Sequence, residues 1–181
     1  MVNIFEDDLA QGRANYEPLT PLSLLRKTAA VYPDQTAVVY HDVRRSWAET
    51  YARCVALAGG LAQHGIGRGD TVAIIASNIP EMFEAHFGVP MCGAVLNTIN
   101  TRLHAETIGF ILSHGEAKAV LVDPEFADVV AQAIAICGRD MLVIDIEDPS
   151  FDGSGFDGGA PIGTLGYAAL KTDPAAGEPD K

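Results

Sequence analysis

The spacing of apolar and polar positions changes along the chain, and each change marks an element. Val72-Ala73-Ile74-Ile75-Ala76 is an unbroken apolar run, which suits a strand covered on both faces. Asn78-Ile79-Pro80-Glu81 follows, with Asn78 placed to cap a helix and Pro80 and Glu81 in its first turn. That helix reaches Cys92. Gly93 stops it, and a second apolar run to Thr98 predicts another strand. Strand, helix and strand with short connections make a βαβ unit, so the two strands are expected to be parallel.

The same reading extends in both directions. Thr20-Pro21 opens a first helix whose apolar side is Leu22, Leu25, Ala29 and Val31, ended by Pro33. Thr36 to Tyr40 and Val43 to Ser46 form a hairpin about His41-Asp42. Ser46-Trp47-Ala48-Glu49 has the capping-box spacing, and Trp47, Tyr51, Val55 and Leu61 place the inward face of a helix over 47–64, with Gly65 at its end. Leu103 to His114 predicts a helix with Leu103, Thr107, Phe110, Ile111 and His114 on one side. Ala119 to Val122 is a buried strand. Asp123-Pro124 opens a helix to Cys137, and Met141 to Ile146 is the next strand. Helix and strand alternate four times from residue 47, which is the pattern of an α/β fold with an open, mainly parallel sheet flanked by helices. The chain divides into an arm over 1–19, an α/β subdomain over 20–146 and an acidic, Gly-rich segment over 147–181. In that last segment Leu165 to Leu170 is long enough for a short helix.

Charge sharpens this division. Of the net −12, residues 1–122 hold 12 acids against 9 bases, and residues 123–181 hold 12 acids against 3. A chain this acidic is a poor match for nucleic acid or an anionic membrane surface. No apolar run reaches 18 residues, so no transmembrane segment is predicted. Met1 to Glu17 lacks the basic and apolar regions of a signal peptide, and a cytoplasmic location is expected. Cys54, Cys92 and Cys137 form no C-x-x-C pair and are expected as buried, reduced thiols.

Candidate chemistry is sparse. Gly65-Ile66-Gly67-Arg68-Gly69-Asp70 has the glycines of a phosphate loop in the wrong order, following a helix and opening a strand, so a tight turn with a solvated Arg68 is expected. Ser77 sits between a strand and a helix, but G-x-S-x-G is missing. His41, His64, His86, His104 and His114 show no metal-binding spacing, and His86, beside Phe87, is expected as a packed core or interface side chain. Asn97, Asn100 and Arg102 lie at the carboxyl end of a strand, where open α/β sheets bind ligands; the alternative is that they hydrogen-bond the turn into the next helix.

Taken in order, Ser46-Trp47-Ala48-Glu49, Gly67-Arg68-Gly69-Asp70-Thr71-Val72-Ala73, Asn78-Ile79-Pro80-Glu81, His86-Phe87-Gly88-Val89-Pro90, Gly93-Ala94-Val95-Leu96-Asn97 and Asn100-Thr101-Arg102-Leu103 resemble the start of an AMP-forming acyl-CoA synthetase of the adenylate-forming superfamily. Pro18 to Leu22 and His114 to Lys118 fit the same likeness, which covers about residues 16–150 and is nearest to bacterial fatty-acyl or methylmercaptopropionate-type CoA ligases. The resemblance implies the incomplete N-terminal subdomain of that fold. For the longer parent it implies a carboxylic acid substrate, ATP with magnesium, and CoA. The family's phosphate loop, aromatic-Thr-Glu motif, ribose-binding Asp and catalytic Lys have no counterpart here. No catalytic residue and no metal ligand therefore carries over, and cofactor-binding residues are unassigned. The segment is expected to be inactive alone. The alternative is a free-standing structural or regulatory domain that kept the fold without the chemistry. An open packing face further predicts a homo-oligomer or self-association.

Overall fold

The computed structural model describes Gly12, residues 16–147 and residues 160–171; most of the expected arm and much of the Gly-rich segment lie outside these. The element order is α1 (Pro21–Val31), β1 (Thr36–Tyr40), β2 (Val43–Ser46), α2 (Trp47–Gln63), β3 (Thr71–Ile75), α3 (Pro80–Met91), β4 (Val95–Thr98), α4 (Ala105–His114), β5 (Ala117–Val122), α5 (Ala127–Cys137), β6 (Leu142–Asp145), β7 (Leu165–Gly166) and α6 (Tyr167–Leu170), with a single 3-10 turn at Pro124–Phe126. β1 and β2 form an antiparallel hairpin. The other five strands form one sheet in the order β4-β3-β5-β6-β7, parallel at every pairing.

The apolar runs become the two-sided centre of this sheet. Val72 and Ile74 of β3 and Leu121 of β5 face Leu57 and Leu61 of α2, Ala85 and Val89 of α3 and Tyr167 and Leu170 of α6. Their neighbours Ala73, Ile75, Val120 and Val122 face Ile108 and Leu112 of α4 and Val130 and Ala133 of α5. Alternate residues of one strand thus enter opposite cores, as the period of two requires, and the molecule is a three-layer α/β/α sandwich. A smaller cluster joins Leu25 of α1 to Cys54, Val55 and Ala58 of α2 and Met91 of α3.

The caps expected at Thr20 and Ser46 form. Ser46 Oγ accepts from Glu49 N at 3.2 Å while Glu49 Oε2 accepts from Ser46 N at 2.7 Å. Thr20 and Ser23 exchange the same pair of bonds at the start of α1. Holding the Ser46 amide keeps the Glu49 carboxyl below the usual range. At Gly93 the backbone takes φ +83°, and a Cβ there would meet Arg68 Cα at 3.2 Å; a residue without a side chain is needed on both counts.

Several expectations are corrected. Asn78 does not cap α3: Ile79 holds the cap position, and its apolar side chain has no oxygen to make a cap bond. Of the expected inward face of α2, Val55 and Leu61 are buried, while Trp47 and Tyr51 pack on the small cluster and stay half-buried; the full buried face is Thr50, Cys54 to Ala58, Gly60 and Leu61. α4 begins at Ala105, not Leu103, and turns Ala105, Ile108, Gly109 and Leu112 inward, leaving Phe110 65% exposed and stacked on His114. In α1, Val31 is exposed. The expected helix over 124–137 is broken by the 3-10 turn that Asp123 caps through Glu125 N. Cys54 is buried, but Cys92 and Cys137 are half-buried. Residues 165–170 are a two-residue strand and a one-turn helix, which add the fifth strand to the sheet.

Candidate functional site

The strand order itself marks a place. After β3 the chain moves to one side for β4, then returns across to β5 on the other. The crevice between the carboxyl ends of β3 and β5 is the topological switch point at which doubly wound sheets bind ligands. Here the chain fills it. Ser77 N donates to Asp123 Oδ2 at 3.1 Å and Ser77 Oγ donates to Glu125 Oε2 at 2.9 Å. Asp123 is 1% exposed. Ser77 therefore faces carboxylates, and no histidine pairs with it as in a Ser–His nucleophile. Two carboxylates at the crevice also repel a phosphate.

The glycine turn lies at the opposite end of the strands, between α2 and β3. Its Gly67 N–H donates to Asp70 Oδ2 at 2.9 Å, and Lys118 Nζ lies 2.6 Å from Asp70 Oδ1. Lys118, and then the Gly67 amide, hold the Asp70 carboxyl below its ordinary range. The turn cradles its own anion, and Arg68 is exposed, as expected of a tight turn. Beside it, His64, Lys118, Arg139 and Asp140 line an open depression of about 510 Å³. Its cations are matched by acids: Arg139 lies 4.0 Å from Glu116.

Asn100 serves the turn after β4 through the Arg102 backbone, and Asn97 does not. Asn100 Oδ1 accepts from Arg102 N at 2.9 Å, and Asn97 lies half-buried beside Gly115. His86 is not a packed core side chain: it is exposed on α3, its Nδ1 2.8 Å from Met82 O. With Asn78, Ile79, Met82, Phe83 and Phe87 it lines an apolar groove of about 430 Å³. Phe83 and Phe87 meet at 5.2 Å between ring centroids.

The cluster that sequence reasoning missed lies on the other face of α3. Glu84 is 1% exposed in the middle of an apolar helix. Arg45 Nη1 of β2 donates to its Oε1 at 2.6 Å, Arg53 Nε of α2 donates to the same oxygen, and Tyr167 O–H of α6 donates to Oε2 at 2.9 Å. Both arginines also reach Glu81 Oε1, at 3.4 and 3.2 Å. Lys171 Nζ sits 4.7 Å above the Tyr167 ring. Burial, and then the Glu84 charge, push the Tyr167 phenol well above its usual range, so it remains a donor at every physiological pH. Burial also lowers Lys171 and pushes the Cys54 thiol up to about 12, which leaves that sulfur protonated and unreactive. The one signal in the sequence was the pair Glu81 and Glu84, one turn apart on a largely apolar helix.

Among the described residues, no three His, Cys, Asp or Glu side chains gather to hold a metal ion. Together with the self-occupied glycine turn and the acidic switch point, this donor set does not fit a nucleotide triphosphate and its magnesium.

Comparison with known proteins supplies what the geometry alone does not. A family model described as AMP-binding enzyme matches residues 25–171. An acetate–CoA ligase of Humulus lupulus is 42% identical over 168 residues, which are 89% of this chain and 30% of that protein. A peroxisomal acetate/butyrate–CoA ligase of Arabidopsis thaliana is 49% identical over 130 residues, 72% of this chain and 23% of its own length. Among solved structures, a Rhodopseudomonas palustris protein described as a long-chain-fatty-acid CoA ligase superposes with a TM-score of 0.73 at 32% identity, over 86% of this chain and 37% of that one. The chain thus spans less than a third of the curated relatives it matches.

Proposed function

Because this chain belongs to the AMP-binding enzyme family, we propose that it works as the N-terminal part of an ATP-dependent acid–CoA ligase. The longer protein joins a carboxylic acid to CoA and releases AMP and pyrophosphate. The observation that carries this reading is the continuous match over residues 25–171, laid on a parallel sheet that superposes on the start of a ligase structure. Within that reaction these residues supply scaffold: they hold the sheet, close the switch point with Asp123 and Glu125, and leave the handling of ATP, magnesium and CoA to the rest of the longer protein. The acid is proposed to be a short-chain carboxylate of fatty acid metabolism, a reading supported by the acetate and butyrate ligases among the relatives. Three free cysteines and no disulfide among the described residues support a reducing, cytoplasmic setting.

A hybrid enzyme tests the reading. Residues 25–171 are substituted for the matching segment of the Humulus lupulus acetate–CoA ligase. The hybrid is expected to retain acetate-dependent release of AMP and pyrophosphate. A folded hybrid that binds ATP yet forms no AMP with any short-chain acid would count against the assignment.

The groove along α3, with Val95 exposed on the edge strand β4 and Phe110 and Ile136 on the opposite face, supports a second proposal: the 181-residue chain self-associates. Light scattering across a tenfold concentration range is expected to show the mass rising with concentration. A constant mass near 19.1 kDa with one sharp melting transition would show a self-sufficient monomer.

A further inference from the structure

We propose that residues 160–171 form a strap that opens as a unit of its own, and that the Tyr167 hydroxyl on Glu84 is the pin that sets how often it does so. The strap joins the sheet through only two register pairs, Ile144 with Leu165 and Asp145 with Gly166, whereas β5 meets β3 through five and β6 through four. Its remaining anchors are a few polar bonds and the side chains of Tyr167 and Leu170. Asp145 accepts from Ile162 N at 3.1 Å and from Gly163 N at 2.8 Å. Tyr167 and Leu170 are each 2% exposed. The Leu170 carbonyl comes so close to α2 that a Cβ on Gly60 would lie 2.0 Å from its oxygen. A short segment held by so few ladder bonds belongs to the low-stability end of a fold and opens locally.

The bonding of Glu84 explains why such opening spares the rest of the molecule. Its carboxylate carries two arginine donors on Oε1 and the tyrosine on Oε2. When the strap lifts, Tyr167 leaves, but Arg45 and Arg53 stay, so no buried charge is orphaned. The reverse does not hold, because removing Glu84 strands both arginines. The hub is therefore built with one detachable ligand and two permanent ones. The detachable ligand is the one that arrives last in the chain, 83 residues after Glu84.

Hydrogen exchange read by mass spectrometry on the 181-residue chain tests this, comparing the wild type with Tyr167→Phe and Gly60→Ala. Tyr167→Phe keeps the buried ring and deletes the pin. It is expected to speed amide exchange in 162–171 about tenfold or more, the range for a hydrogen bond to a charged group, with β3 and β5 unchanged. Gly60→Ala raises helix propensity within α2 while driving a methyl group into the Leu170 carbonyl, and it is expected to give the same local pattern by a different route. If 162–171 exchanges at the wild-type rate in both variants, or if β3 and β5 accelerate by the same factor as the strap, the strap is part of the global unit and the proposal is overturned.

Discussion

Glu84→Ala is expected to destabilise the chain by about 3 kcal/mol, the low end of the range for removing one partner of a buried ion pair. The 1% exposure of Glu84 puts the full desolvation of its neighbours at stake. The low end applies because the Arg45 and Arg53 side chains keep 17% and 30% exposure and retain Glu81 Oε1 within reach. For a chain of this size that corresponds to a fall in Tm of roughly 6–12 °C. Glu84→Gln keeps the volume and an acceptor for Tyr167 but gives up the charge, and it is expected to fall between wild type and Glu84→Ala. A thermal melt of the three proteins decides this. A Glu84→Ala transition within the error of wild type would mean that Glu81 carries the cluster alone.

The chain by itself is expected to show no carboxylate-dependent exchange of pyrophosphate into ATP. Forming an acyl-adenylate puts charge on the departing pyrophosphate, and that charge needs cations and oriented N–H groups already in place. The described residues offer the opposite at both ends of the central strands: Asp123 and Glu125 at the switch point, and a glycine turn whose amide is committed to Asp70. With acetate, butyrate or benzoate as the acid, labelled pyrophosphate should enter ATP at the blank rate. Clear turnover would place a catalytic site within these 181 residues and defeat the scaffold reading.

Much of the sheet was legible because its strands are continuous apolar runs, and a strand buried on both faces has no other composition open to it. The Ser46–Glu49 capping box was legible because its spacing is a property of four consecutive residues, and Thr20 was legible as a cap through the Pro21 that follows it. The failures share a different cause. Phe110 was assigned inward by its hydrophobicity, yet the inward position is Gly109, where a Cβ would lie 2.9 Å from Ala133 O; closest approach selects the smallest residue, and apolar periodicity is blind to it. β7 has two residues, one of them glycine, and no local signal. Its place depends on Asp145 and on Glu84, and the second contact spans 83 residues. The Glu84 hub failed to announce itself for the same reason: its basic partners sit 39 and 31 residues away. At the candidate site, Asn100 and Arg102 were correctly suspected of serving a turn, while the acidic filling of the switch point needed the strand order first.

The order β4-β3-β5-β6-β7 also dictates how the protein is born. β3 is the first sheet strand to be synthesised and ends as an interior one, so the sheet grows outward from its oldest member. β4 covers one edge of β3 as soon as it is made. The other edge waits for β5, whose last residue, Val122, lies 24 positions beyond Thr98. At about 5–20 residues per second, the ribosome takes roughly one to five seconds to deliver it. For that interval Val72 to Ile75 present a naked apolar edge on a nascent chain. That window, rather than any weakness of the finished fold, is where a chaperone has most to protect.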